Sequence, residues 1–204
     1  MVTEERVVVF IDGSNFYYAL KRNLGTAKID FSRLSHHLCN NRRLIRTYYY
    51  NVPVDPKEDE ERYKRQQKFF DGLRRIDYLE MVLGRLEKRQ VKIGYNELAN
   101  LYNDQIARDI INKQGEKVIP YNIEKGVDIA IAVDMLNFAY RNIYDTAILV
   151  SGDGDFARAV QAVKNEGKHV EVAFFRKDFS YHLEQVCDKC IYLDDFIKEC
   201  LVKT

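Results

Sequence analysis

The run Val7-Val8-Val9-Phe10-Ile11 places five consecutive β-branched or aromatic residues side by side with no polar break. A strand solvated on one face alternates apolar and polar residues. A strand without alternation is buried on both faces, as happens in parallel sheets covered by helices on either side. The run stops abruptly at Asp12-Gly13-Ser14-Asn15, turn and cap residues that start a helix over Phe16 to Arg22. The same alternation then recurs. A helix over Phe31 to Cys39 is followed by a strand over Leu44 to Asn51 and a loop that Pro53 and Pro56 keep extended. A charged helix over Asp59 to Ile76 and a strand over Tyr78 to Leu83 come next. Farther on, Val127 to Tyr140 is apolar nearly all round and reads as a deeply buried helix. Thr146 to Val150 supplies a strand, Phe156 to Asn165 a helix closed by Gly167, and His169 to Phe175 the fifth strand. The expected fold is α/β: a three-layer sandwich around a central, mostly parallel sheet of about five strands.

A chain of 204 residues suits one domain, 1–204, and the stretch at about 85–126 reads as an insertion on it. There Arg85 to Gly94 fits a hairpin or loop, while Leu98, Leu101, Ile106 and Ile110 give Glu97 to Lys113 a helical period. Apolar residues at 46% and charged residues at 31% exclude global disorder. Val7 to Ile11 is too short for a bilayer, which needs about 20 apolar residues, and no export signal precedes it. The four cysteines are accordingly expected to be reduced and the protein cytoplasmic, with no membrane partner. Thirty-two basic against 31 acidic side chains neither demand nor exclude a nucleic-acid partner, since distribution matters more than the sum.

Two of the apolar strands end in acidic turns: Ile11 runs into Asp12, and Val150 runs through Ser151-Gly152 into Asp153 and Asp155. In open α/β sheets ligands bind outside the carboxyl ends of the strands, so neighbouring strands would bring these acids to one cleft. Asp128, at the start of the Val127 helix, offers another. Clustered carboxylates repel unless a cation sits among them, and hard oxygen donors select Mg²⁺ or Mn²⁺ over zinc. Each acid also has a local explanation: Asp12 as a helix cap, Asp153 and Asp155 as turn formers, Asp128 as a charge at a helix start. Asp134, inside an apolar helix, requires a partner. The Cys187-Asp188-Lys189-Cys190 spacing offers half a zinc site with no second pair, so ordinary helix or core cysteines are expected.

Taken together, Val8-Val9-Phe10-Ile11-Asp12-Gly13-Ser14-Asn15, Glu124-Lys125-Gly126-Val127-Asp128 with Asp134-Met135-Leu136, and Ile148-Leu149-Val150-Ser151-Gly152-Asp153-Gly154-Asp155-Phe156 closely resemble the NYN domain. This is the LabA-like branch of the PIN-like ribonuclease superfamily, and the resemblance runs from about Arg6 to Phe196. It implies a PIN-like Rossmannoid fold and a Mg²⁺-dependent nuclease. Asp12, Asp128, Asp153 and Asp155 would be catalytic, metal-binding acids, Asn15 and Ser151 would orient the site, Lys125 would neutralise phosphate, and Asp134 would support it. The implied reaction is metal-assisted hydrolysis of an RNA phosphodiester. His36 and His37 lie in an early helix, and His169 and His182 fall outside the acidic turns, so no histidine base is expected.

RNA, single-stranded or structured, is the expected partner; self-association of the chain is compatible with this and not required. Basic clusters offer phosphate contacts: Arg42, Arg43 and Arg46 with no acid between them, and Arg85, Lys88 and Arg89 around Glu87. Lys21, Arg22 and the basic residues of 62–75 are further candidates, the latter offset by Glu58, Asp59, Glu60 and Glu61. Tyr17 and Tyr18, just beyond Asn15, are placed to stack on unpaired bases, whereas Tyr48-Tyr49-Tyr50 must alternate between sheet faces. A non-catalytic nucleic-acid- or protein-binding regulator on the same fold is the alternative. A phosphatase of the haloacid-dehalogenase type needs an Asp two residues after the nucleophile, and position 14 is Ser.

Overall fold

The structure, a computed structural model, describes residues 4–93, 108, 117–178 and 180–202. Strand β1 (Arg6–Asp12) forms where the apolar run predicts it, and Val7 to Ile11 are fully buried. Helix α1 (Gly13–Leu24) follows at once, capped by the Asp12 carboxylate and closed by Gly25, whose φ of 70° is a left-handed conformation open to glycine. Helix α2 (Phe31–Cys39), β2 (Arg43–Asn51), α3 (Glu60–Leu73) and β3 (Leu79–Leu83) complete the first half. After α4 (Val127–Tyr140) come β6 (Thr146–Val150), a 3₁₀ turn over Gly154–Phe156, α5 (Ala157–Asn165), β7 (His169–Phe174), α6 (Tyr181–Val186) and β8 (Lys189–Tyr192).

Among the described residues these strands make a six-stranded sheet in the order β3-β2-β1-β6-β7-β8, every neighbouring pair parallel. The expectation of a helix-flanked, mostly parallel α/β sheet holds, with one strand more than the five read from the sequence. Strand order reverses between β1 and β6, so β1 lies at the sheet centre with helices above and below it. Val7, Val9 and Ile11 pack with Phe16, Leu20, Leu34 and Leu38 of α1 and α2. On the opposite face Phe10 packs against Tyr48, Tyr50, Phe138 and Tyr144, at ring separations of 6.0–6.5 Å. Each such side chain taken from water contributes about 1.5–3 kcal/mol, so both faces of β1 hold the layers together. The three tyrosines alternate as expected: Tyr49 meets Phe31 and Phe69, while Tyr48 and Tyr50 join Phe10.

The reading of α4 as deeply buried is corrected. Val127, Ile131, Met135 and Ala139 face the sheet, whereas Ile129, Val133 and Tyr140 are 71%, 55% and 81% exposed. Residues 85–125 form a compact unit of their own, separate from 1–84 with 126–204. It contains strands β4 (Arg85–Ile93) and β5 (Lys117–Lys125) in an antiparallel pair. The helical period read over Glu97 to Lys113 falls outside the described residues, Arg108 aside. No described helix is long and apolar enough to cross a membrane.

Candidate functional site

Parallel pairing of β1 with β6 sets Ile11 level with Val150, so Asp12 and Ser151 leave the sheet side by side at its carboxyl edge. The chain turns into α1 immediately because position 13 has no side chain. A Cβ there would lie 2.5 Å from the Tyr49 ring and from the Tyr50 carbonyl oxygen. Gly152 is constrained in the same way, since a Cβ would come within 2.1 Å of the Asp178 carbonyl oxygen. The two turns are laced together. Asp12 Oδ1 accepts the Asn15 N–H at 3.1 Å, and Asp12 Oδ2 accepts from Ser151 Oγ at 3.2 Å. Ser151 Oγ accepts the Asp153 N–H at 3.1 Å, and Asn15 Oδ1 accepts the Gly152 N–H at 3.0 Å. Asp153 in turn accepts the Asp155 N–H at 3.0 Å.

Asp12 and Asp153 therefore do serve as local caps, but capping does not account for the burial of Asp12, which is only 4% exposed. Burial pushes the Asp12 carboxyl up to about 6, and the charges of Asp128 and Asp153 add to the rise against the opposing Asn15 and Ser151 hydrogen bonds. Three of the four expected acids are thus coupled electrostatically. Asp155 contributes its backbone N–H to the turn while its side chain is exposed. Among the described residues, no three His, Cys, Asp or Glu side chains are gathered as a metal group. In kind, the donors suit a hard divalent cation, because a buried carboxylate held against neighbouring negative charge is what such an ion relieves. Mg²⁺ asks little more, since it is commonly held by one or two carboxylates and keeps several waters.

Asp134 finds the partner it requires in a tyrosine: Tyr50, level with Asp12 on β2, donates its hydroxyl to Asp134 at 2.9 Å. Lys125 belongs to the separate 85–125 unit and sits 3.0 Å from Glu87.

The basic residues expected to contact phosphate lie on different elements. Arg42, Arg43 and Arg46 lie at the amino end of β2, and Arg43 is level with Arg6, roughly 20 Å along the strands from Asp12. Arg42 is committed elsewhere: its guanidinium meets Glu171 at 2.8 and 3.0 Å and Glu5 at 3.1 Å, and also donates to the Leu38 and Cys39 carbonyls. Arg46 pairs with Glu80 at 3.1 Å. Arg85, Lys88 and Arg89 lie on β4 in the second unit.

Sequence reasoning missed the loop after β7. Asp178 covers Gly152 with its carbonyl and accepts from Arg22 at 3.1 Å, and Ser180 and His182 lie against Gly154, so His182 is beside the acidic turn in space. The available signal was topological, since a loop leaving the carboxyl end of the strand next to β6 has to border the same crevice. Tyr17 and Tyr18 are about half exposed, with rings 5.4 Å apart and nearly perpendicular.

Residues 6–194 match the NYN domain family. Over 201 residues the chain is 26% identical to the low amplitude and bright protein LabA of Synechococcus elongatus, spanning 98% of this chain and 89% of that protein. It is 28% identical over 120 residues to an uncharacterized protein of Methanocaldococcus jannaschii, MJ0482, spanning 59% of this chain and 48% of that protein. A solved structure of a Vibrio parahaemolyticus protein of unknown function, VPA0982, aligns with a TM-score of 0.65 at 20% identity over 97% of this chain and 98% of that one, a shared fold.

Proposed function

The chain belongs to the NYN domain family, and on that premise we propose that it is a divalent-metal-dependent ribonuclease whose centre is Asp12. One observation carries the reading: a buried carboxylate at the end of the central strand, electrostatically coupled to Asp128 and Asp153 and hydrogen bonded across to the β6 turn. In this reading Asp12, Asp128 and Asp153 would hold Mg²⁺ or Mn²⁺, directly or through the waters the ion keeps, with Asp155 at the rim. The bound ion supplies Lewis-acid stabilisation of phosphodiester charge and activates water. Ser151 fixes the Asp12 carboxylate, because its oxygen already accepts the Asp153 N–H and its proton is left to donate to Asp12. Asn15 ties the second turn to the first through Gly152, and the Tyr50–Asp134 bond holds α4, which carries Asp128, against the sheet beside Asp12. Residues 85–125 are an insertion on one NYN domain, and the protein acts in the cytoplasm.

The test is incubation of the full chain with labelled RNA, with and without Mg²⁺ or Mn²⁺. Cleavage that requires the ion and disappears in both Asp12→Asn and Asp153→Asn is the expected result. Undiminished cleavage by both variants would remove this site as the catalyst. A second reading, a nucleic-acid- or protein-binding regulator on the same fold, draws on the exposure of Asp155 and on the fact that, among the described residues, no three His, Cys, Asp or Glu side chains gather as a metal group. Its signature is RNA or protein binding by the parent chain with no ion-dependent cleavage.

A further inference from the structure

The Cys187-Asp188-Lys189-Cys190 segment joins the end of α6 to β8. Cys187 follows the last helical turn in an extended conformation and still donates its N–H to Leu183 at 3.0 Å. Cys190 is the second residue of β8, level with Val172 of β7. Asp188, between them, is fixed on both sides: its N–H donates to the Val170 carbonyl at 2.8 Å and its carboxylate accepts the Val170 N–H at 2.8 Å. The same carboxylate lies 2.9 Å from the Lys164 ammonium, which also donates to the Val186 carbonyl at 2.8 Å. With the backbone pinned this way, the two Sγ atoms stand 3.5 Å apart in hydrogen-bond contact. Both thiols are half-buried, whereas Cys39 and Cys200 are buried. Among the described residues no third His, Cys, Asp or Glu joins the pair as a metal group.

We propose that Cys187 and Cys190 form a reversible dithiol–disulfide couple that exchanges with low-molecular-weight disulfides. Cys190 acts first. Its proton goes to solvent, its thiolate sulfur attacks one sulfur of the small disulfide, and that S–S bond breaks to release one thiol after protonation. Cys187, whose thiol is pushed up by burial and by the Cys190 contact, then loses its proton and attacks the Cys190 sulfur in the mixed disulfide. The Cys187–Cys190 bond forms as the second small thiol leaves. Two electrons have then passed from the protein to the small disulfide, reducing it to two thiols. Bond formation asks the sulfurs to close from 3.5 Å to about 2.05 Å, a short movement at the junction of a six-residue helix and an edge strand.

The reduced full chain is equilibrated in graded mixtures of oxidised and reduced glutathione, quenched in acid, unfolded, alkylated and mapped by peptide mass spectrometry. The expected result is joint loss of two of the four alkylatable thiols, with Cys187 and Cys190 linked to each other and Cys39 and Cys200 still alkylated. Cys187→Ser should stop at a glutathione adduct on Cys190. Full alkylation of both residues in mixtures that oxidise a small dithiol standard would overturn the proposal, as would a persistent glutathione adduct on the parent protein. The parent mapping decides alone if the variant fails to fold.

Discussion

Replacing Asp12 by Asn removes a charge while keeping the shape of the side chain. The carbonyl oxygen still accepts the Asn15 N–H, and the amide can donate to Ser151 Oγ, so both contacts of the buried carboxylate survive in altered form. What changes is the charge. In the folded chain the Asp12 carboxyl is raised to about 6, against 3.8 for the ordinary group. Between these values the folded chain holds a proton that the unfolded chain has lost, so stability falls as pH rises from about 4 to about 6. At 1.36 kcal/mol per unit, the charged side chain costs the fold about 3 kcal/mol at neutral pH. Asp12→Asn should therefore be more stable than the parent by about 3 kcal/mol at pH 7 in divalent-free buffer, roughly 6–12 °C in Tm, with the gap closing near pH 4. Urea denaturation at several pH values measures it. Under the function proposed above, Mg²⁺ at a hundredfold excess over its dissociation constant returns about 2.7 kcal/mol to the parent and nothing to the variant. Parallel pH profiles for the two proteins, or a variant less stable at pH 7, would refute the electrostatic argument.

Arg42→Ala removes the guanidinium from the nearly buried Glu171 carboxylate, leaving it the Lys189 ammonium at 3.6 Å, and should cost about 1–3 kcal/mol by denaturation. A loss below about 0.5 kcal/mol, the range of an ordinary surface change, would mean that the ion pair is not formed. Gly152→Ala drives a methyl group into the Asp178 carbonyl and should cost about 1–3 kcal/mol; an unchanged Tm would show that the loop after β7 does not press on this turn. Replacing Arg85, Lys88 and Arg89 together by Ala should weaken RNA binding across sequences and flatten its salt dependence, by about 0.7 per lost phosphate contact on a single strand. Filter binding at two salt concentrations reads the change, and parent-like affinity at low salt would return these residues to the role of a solvated face.

The central strands were legible because each announces itself locally: the uninterrupted β-branched and aromatic run at Val7 to Ile11 and the β-branched-rich run at Thr146 to Val150 need no distant information. Strand β8 was not, because it is a four-residue edge strand, Lys189-Cys190-Ile191-Tyr192, with one neighbour and too few residues to show a pattern. Uniform apolarity in α4 signalled depth, yet the helix buries only one side and leaves Ile129 and Val133 outside. The pairing of Asp12 with Ser151 was foreseeable once β1 and β6 were taken as neighbours. The occupation of Arg42 was not, because its carboxylate partners, Glu5 and Glu171, come from opposite ends of the chain. Local charge counting sees an unopposed cluster there, whereas the fold supplies the opposing charge from elsewhere.

The Asp12–Ser151 contact joins residues 139 positions apart, and every element from α1 to α4 lies on the loop that this contact closes. The half-sites cannot meet until β1 and β6 have paired, so the buried acidic turn is an all-or-none product of the central register. Chain inserted within that loop adds little to closure. Shortening the separation by roughly a third, as deletion of 85–125 would, changes its entropic cost by only about 0.3 kcal/mol. Through chain entropy, then, closing the carboxyl edge of the sheet depends only weakly on the length of the segment that crosses between its halves.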